Sequence, residues 1–241
     1  PPGAFVITSD ADVRSALETA GALSLLSYTL ILPPGVRVAV GVISVPFNRT
    51  MLIESGGEGA TLDAGDSSRL FEVRGHLHVR GVTLVNGRAQ YGGGMIVYGG
   101  ASATLEQVII ANCTAYAADY GSADGGAIYI DPGASVVMRE SVILNCATLN
   151  EVAGAGSAAR GGGAYVLGRL ELSGTRVSGC RAEAVTAVEG YGGAVFVADG
   201  VLLFSNVTSL VDNSASGAGS TFFSQGGVST YRLPAPPGHW I

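Results

Sequence analysis

The sequence predicts an all-β fold: a parallel β-helix, or solenoid, of roughly seven to eight coils behind a short N-terminal capping helix. Three observations predict it. The phrase GGGMIVY at 92–98 returns as DGGAIYI at 124–130, GGGAYVL at 161–167 and YGGAVFV at 191–197. Apolar positions recur at a long, nearly constant step: Leu84, Ile110, Ile143, Val177 and Leu210 are separated by 26, 33, 34 and 33 residues. Such a period, built from short strands and turns, marks a solenoid or a propeller. Finally, Gly accounts for 37 of 241 residues and charged residues for only 13%. That charge content is about half the usual ~25%, so much of the surface must be neutral side chain or backbone. An apolar fraction of 47% excludes intrinsic disorder.

The elements follow in chain order. Ser9-Asp10-Ala11-Asp12 reads as a helix start, with Ser9 as N-cap and Asp12 at N3. Val13, Leu17 and Ala20 give the apolar stripe, and Gly21 is the expected stop. Short strands then follow at Tyr28–Leu32, Val36–Val40, Thr50–Ile53, Leu70–Val73 and Leu77–Val79, separated by Gly- or Asp-containing turns. From residue 77 the strands fall into columns. One is Val79, Leu105, Met138, Leu172 and Phe204, expected inside. Another is Asn86, Asn112, Asn145, Gly179 and Asp212, whose three asparagines are expected as a buried amide ladder. A third is Gly87, Cys113, Cys146, Cys180 and Asn213.

Propeller blades need antiparallel hairpins, whereas here like positions recur one full period later. Like residues should therefore stack on like residues, which is the geometry of a parallel β-helix with coils roughly 4.8 Å apart. The glycine pairs suit corners where φ is positive. The position after them, taken as Met95, Ala127, Ala164 and Ala194, is mostly small because it packs near that corner. One domain is expected over 1–230, with an N-terminal cap at 1–40 and the clearest repeats at 77–220. Residues 231–241 read as a Pro-rich exit linker toward a further domain.

The GGA[IVY] phrase, followed about 20 residues later by Ile109-x-x-Asn112 or Val142-x-x-Asn145, resembles the polymorphic outer membrane protein repeat, which pairs GGAI with F-x-x-N. The match covers about 82–213, with aliphatics in place of Phe and with Gly179 and Asp212 in place of Asn. The preceding TLDAG…RLFEVRGHLHVRGVTLVNG is similar to the opening coils of pectin-lyase-like β-helices. The resemblance implies a right-handed parallel β-helix on a cell surface, serving adhesion or display.

Several residues admit both a binding role and a plain structural one. Arg74, His76, His78 and Arg80 share an outward face if the strand runs unbroken, and such a basic file could contact an anionic glycan; a solvated strand face is the alternative. Asn48-Arg49-Thr50, Asn112-Cys113-Thr114 and Asn206-Val207-Thr208 are N-x-[ST] sequons. Asn48 and Asn206 are expected to carry sugar, and Asn112, expected inward, to carry none. Cys113, Cys146 and Cys180 stand one per coil, which suits buried reduced thiols better than a metal cluster. No metal or cofactor is expected, and no catalytic residue is assigned: the acids are scattered, with Glu106 and Glu140 one coil apart beside Arg139.

A net charge of −6 without a basic patch argues against nucleic acid. No run of about 18 apolar residues is present, so no membrane-inserted helix is expected. The reading is a non-enzymatic extracellular or cell-surface glycoprotein module, a rigid spacer or adhesive surface. Its contacts would be made through the loops 114–124, 147–160, 181–190 and 214–220, which should leave one corner of successive coils. Its partners would be glycans, other surface or matrix proteins, or further domains of the same chain. The alternative is a polysaccharide-active lyase or hydrolase of the same fold.

Overall fold

The computed structural model describes residues 3–231 apart from Glu58, Tyr120, 153–156, 185–188 and Val207, with side chains described through residue 227. The expected exit linker therefore lies, beyond Tyr231, outside the described residues. The described residues form five sheets in which every strand pairing is parallel, stacked as a β-helix. One coil shows the path. Ser102–Glu106 belongs to sheet 1, of nine strands, and Ile109–Ala111 to sheet 2, of seven. Thr114–Ala117 lies in sheet 4, of five, and Ala123–Asp124 in sheet 5, of three. Ile128–Ile130 then enters sheet 3, of seven strands, and Ser135–Arg139 begins the next coil back in sheet 1.

Register is held along the whole stack. On sheet 1, Ser27, Thr50, His76, Ser102, Ser135, Arg169, Val201 and Val228 are successive partners. Their numbers give coils of 23, 26, 26, 33, 34, 32 and 27 residues. The longer coils carry sheets 4 and 5 as an arm on one side. The segments 114–124, 147–160, 181–190 and 214–220 do leave one corner of successive coils, and they pair with one another as they leave.

Alternation along each strand sends one file inward. Val79, Leu105, Met138 and Leu172 are fully buried and Phe204 nearly so, as their column predicts. Each such side chain contributes about 1.5–3 kcal/mol on burial, so the core is continuous along the axis rather than gathered at one point.

The cap is as expected at its start. The helix runs Asp10–Ala22, Ser9 Oγ accepts from the Asp12 amide, and Asp12 accepts from the amide and hydroxyl of Thr8. Its stop is different. Gly21 has no positive φ; the chain reverses at Ser24, with φ at 52°, and the Ser24 and Leu25 amides close on Gly21 and Ala20 carbonyls.

The corners overturn the buried amide ladder. Asn86, Asn112, Asn145, Gly179 and Asp212 all have φ between 52° and 65°, and Asn112 and Asn145 are exposed. A left-handed residue rotates its side chain out of the strand's alternation, so counting by twos from Ile110 fails there. The mixed identity of the column now has one cause. Asn, Asp and Gly are the residues that tolerate this conformation best.

The glycine pair also divides into two roles. Gly92, Gly125, Gly161 and Gly192 have φ of 58–67°. The second glycines do not; a Cβ on Gly126 would overlap the Gly162 carbonyl oxygen of the next coil. Register further shows that Met95 stacks on Ile128, Ala164 and Val195. The small position is instead Gly94, Ala127, Gly163 and Ala194, because each phrase has two or three glycines and the anchor slips by one.

Two substitutions test these corners. Asn112→Gly should leave the denaturant midpoint nearly unchanged, whereas Asn112→Val should cost about 1–2 kcal/mol. Gly126→Ala, which must displace backbone, should cost about 3 kcal/mol or more.

Candidate functional site

Two places on the outer surface depart from plain solenoid repetition. The first is a groove of about 750 Å³ at the corner between sheets 1 and 2. In its coil, Arg80 of sheet 1 and Val82 of sheet 2 are joined by Gly81 alone. One coil earlier, the corresponding connection is the four-residue stretch 56–59. Gly56, Gly57 and Gly59 of that connection line one wall, and Gly81 has no side chain to fill the floor. Its φ is 63°, and a Cβ there would meet the Ser55 carbonyl oxygen at 2.5 Å. Glu54, Arg80 and Gln107 line the groove with Ser55, Thr83, Ile31 and Ile109.

Glu54, Arg80, Glu106 and Arg139 are successive partners on sheet 1, an outward file of alternating charge. Opposite charges on neighbouring strands attract by roughly 0.2–1 kcal/mol. Arg139 lies 3.6 Å from Glu106, and His78 Nε2 lies 3.4 Å from the other carboxylate oxygen. Arg80 and Glu54 make no ion pair with each other or with another described residue. They are the unpaired members of the file.

The basic file does not run on one strand. Phe71–Val73 belongs to sheet 3 and His76–Arg80 to sheet 1, so Arg74 sits at the corner between them. Arg74 pairs with Glu72 at 3.1 Å and lies 4.2 Å over the Tyr98 ring. His76 Nδ1 is 2.8 Å from Ser102 Oγ. Arg74, His76 and Arg80 are exposed and His78 is half-buried, but acids stand beside Arg74 and His78.

The second place is the arm. Asp124 and Arg160 are register partners in sheet 5, joined by two hydrogen bonds, Nε to Oδ1 at 2.7 Å and Nη2 to Oδ2 at 2.8 Å. Asp124 is 2% exposed; burial pushes its carboxyl up, and Arg160 opposes that. The guanidinium lies 4.9 Å over Tyr165, within a stack of Tyr129, Tyr165, Phe196 and Phe223 with centroids 5.2–5.3 Å apart. Burial raises the Tyr129 hydroxyl well above its ordinary range.

The three cysteines are free and buried, one per coil. Each thiol donates to the carbonyl two residues back, Ala111, Leu144 or Ser178. In the next coil Asn213 takes the place of the thiol, donating to the Val177 carbonyl and accepting from the Cys180 amide. Burial, with Cys113 and Cys180 on either side, pushes Cys146 up. A protonated buried thiol is a poor nucleophile and a poor ligand. Among the described residues no three His, Cys, Asp or Glu side chains gather as a metal site requires.

Of the sequon residues, Asn48, Asn112 and Asn206 are all exposed and all have positive φ. Burial therefore does not separate Asn112 from the other two. Asn206 donates to Ser173 Oγ at 2.6 Å, and Thr208 Oγ1 is turned to the Leu172 and Ser205 carbonyls.

The groove and the Asp124–Arg160 pair were both missed by motif reading. The groove arises from a difference in corner length between two adjacent coils. The ion pair had a signal: the residues preceding the glycine pairs, Tyr91, Asp124, Arg160 and Tyr191, form one column. Comparison with protein-family models, with curated proteins and with solved structures returns no match.

Asp124→Asn should destabilise the protein by about 2–3 kcal/mol. Removing the carboxylate strands a guanidinium that is mostly buried, and the quarter of Arg160 left in water moderates the loss. Thermal or denaturant unfolding checks it, and Asp124→Ala should be at least as damaging. A thiol reagent should label none of the three cysteines in native protein and all three after unfolding.

Proposed function

We propose that this chain is a non-enzymatic β-helix module of an extracellular or cell-surface protein, acting as a rigid spacer and adhesive surface. The observation that carries the reading is the unbroken parallel register from Ser27 to Val228. Seven coils held this way make a rod roughly 34 Å long at about 4.8 Å per coil. The rod has one lengthened side for contacts and a core that needs no ligand to fill it. The resemblance to polymorphic outer membrane protein repeats and to pectin-lyase-like β-helices agrees with surface display. The three exposed sequons agree with a secreted glycoprotein.

The hydrolase form of the competing reading asks for more than the described groove residues offer. Hydrolysis by a carboxylate pair needs two acids flanking the bond, and Glu54 is the one described carboxylate lining the groove. Partners of the proposed module are glycans or other surface or matrix proteins.

The test is turnover set against binding. Incubated with neutral and acidic polysaccharides, the protein should release neither reducing ends nor unsaturated uronate ends above buffer controls. On a glycan array or a matrix-protein panel it should give saturable binding. Release of either product, lost in Glu54→Gln, would overturn the reading in favour of the enzyme.

A further inference from the structure

The groove between sheets 1 and 2 holds the two charged side chains that the alternating file leaves unpaired. We propose that it binds a neutral oligosaccharide, with Glu54 and Arg80 as the residues that hold its hydroxyl groups. The inference rests on the reading of the chain as a binding module and names the ligand class for it.

The argument begins with the repeat. Solenoid corners are interchangeable where they only turn the chain, and the corner between sheets 1 and 2 is one residue at Gly81. The strand ends put three more residues in the connection one coil earlier, and its described residues Gly56, Gly57 and Gly59 line the groove with backbone and no side chain. Ser55 Oγ, in the groove wall, is shielded from solvent and has no hydrogen-bond partner among the described residues. Unpartnered buried hydroxyls are uncommon in native folds, and a bound hydroxyl or a water would satisfy this one.

The chemistry selects the class. Glu54 and Arg80 are cross-strand neighbours, one acceptor-only and one donor-only, and neither is consumed by the other. Adjacent hydroxyls on one sugar ring can donate to the carboxylate and accept from the guanidinium together, so neither charge needs a charged ligand. Gln107 adds an amide at the rim, although its Nε2 already leans on Glu140 at 3.3 Å. Ile31 and Ile109, the latter 40% exposed, offer aliphatic surface to the C–H face of a ring. An anionic sugar is disfavoured: Glu54 lines the groove, Glu106 follows Arg80 in the same file, and the whole chain carries −6. Repulsion from these acids offsets what Arg80 alone supplies.

The experiment is calorimetric titration of the full chain with tetrasaccharides of glucose, mannose and galactose, and with tetragalacturonate as the anionic counterpart. At least one neutral tetrasaccharide should bind saturably, with a Kd of roughly 0.1–1 mM and little dependence on salt. Glu54→Gln and Arg80→Gln should each weaken binding about tenfold with only a small shift of the unfolding midpoint from the lost cross-strand attraction, and Arg74→Gln should bind as wild type. Absence of saturable binding by every neutral probe up to about 10 mM, undiminished binding by both groove variants, or tighter binding of tetragalacturonate would each overturn the proposal. Binding accompanied by cleavage would leave this inference standing and sink the non-enzymatic reading; no binding and no cleavage would do the reverse.

Discussion

Everything in this fold depends on the chain turning sharply at the same places in successive coils. A parallel β-helix gains its backbone hydrogen bonds only between coils, so a strand is satisfied only if the coils on both sides stay in register. Register survives because the corners are built from residues in the left-handed conformation, stacked above one another. One column runs Gly81, Gln107, Glu140, Gly174 and Asn206, a second Asn86, Asn112, Asn145, Gly179 and Asp212, and a third Gly92, Gly125, Gly161, Gly192 and Gly219. Gln107 and Glu140, which lack the tolerance of Gly, Asn and Asp for this conformation, carry strain of about 1–2 kcal/mol each. Seven non-glycine corner residues occur in columns where glycine also appears, so the demand is conformational and the side chain is secondary. Behind the third column the constraint is harder, because the second glycine of each pair lies against a carbonyl of the next coil and no Cβ fits.

This explains which parts of the molecule were legible in the sequence. The inward files were read correctly because within a strand alternation is strict, and Val79 to Phe204 never leave sheet 1. The helix start was legible because capping is a short-range matter of Ser9, Asp12 and their amides. The reading failed where a strand rule was carried across a corner. Asn112 follows inward Ile110 by two residues, yet its φ of 56° turns it to solvent. The glycine phrase was misaligned because three glycines in one coil and two in another hide the same column. The groove was invisible for a deeper reason: it is a difference between two neighbouring corners, and that difference exists only once Glu54 has been set beside Arg80.

The cysteine file shows how a column tolerates change when the hydrogen-bonding role is kept. A thiol in each of three coils donates to the carbonyl two residues earlier. Asn213, in the fourth, donates to Val177 instead and receives the Cys180 amide. Gly87, in the coil before Cys113, supplies its own amide to the Cys113 sulfur at 3.4 Å. What passes along the column is a pattern of satisfied backbone groups near the core, and sulfur is one way to provide it.

The arm turns the outer face of sheet 3 into a second interior. The outward file on that sheet reads Ser44, Glu72, Ile96, Tyr129, Tyr165, Phe196 and Phe223 along the axis. It is polar in the early coils, where no arm exists. It becomes apolar and then aromatic in step with the strands Ala123–Asp124, Ala159–Arg160 and Gly190–Tyr191 that return beside it. Tyr165 and Phe196 are accordingly 5% and 1% exposed although they point away from the main core. Longer coils cost loop-closure entropy, which grows only slowly with length. Each added ring recovers more than that by burying area and by stacking, worth about 0.5–1.5 kcal/mol per aromatic pair beyond burial. The Asp124–Arg160 pair then has a defined place: it ties two consecutive returns together and lays a guanidinium over the stack. The described strands of the arm are therefore seated on an aromatic ladder, which gives this side of the rod a packed layer of its own outside the main core.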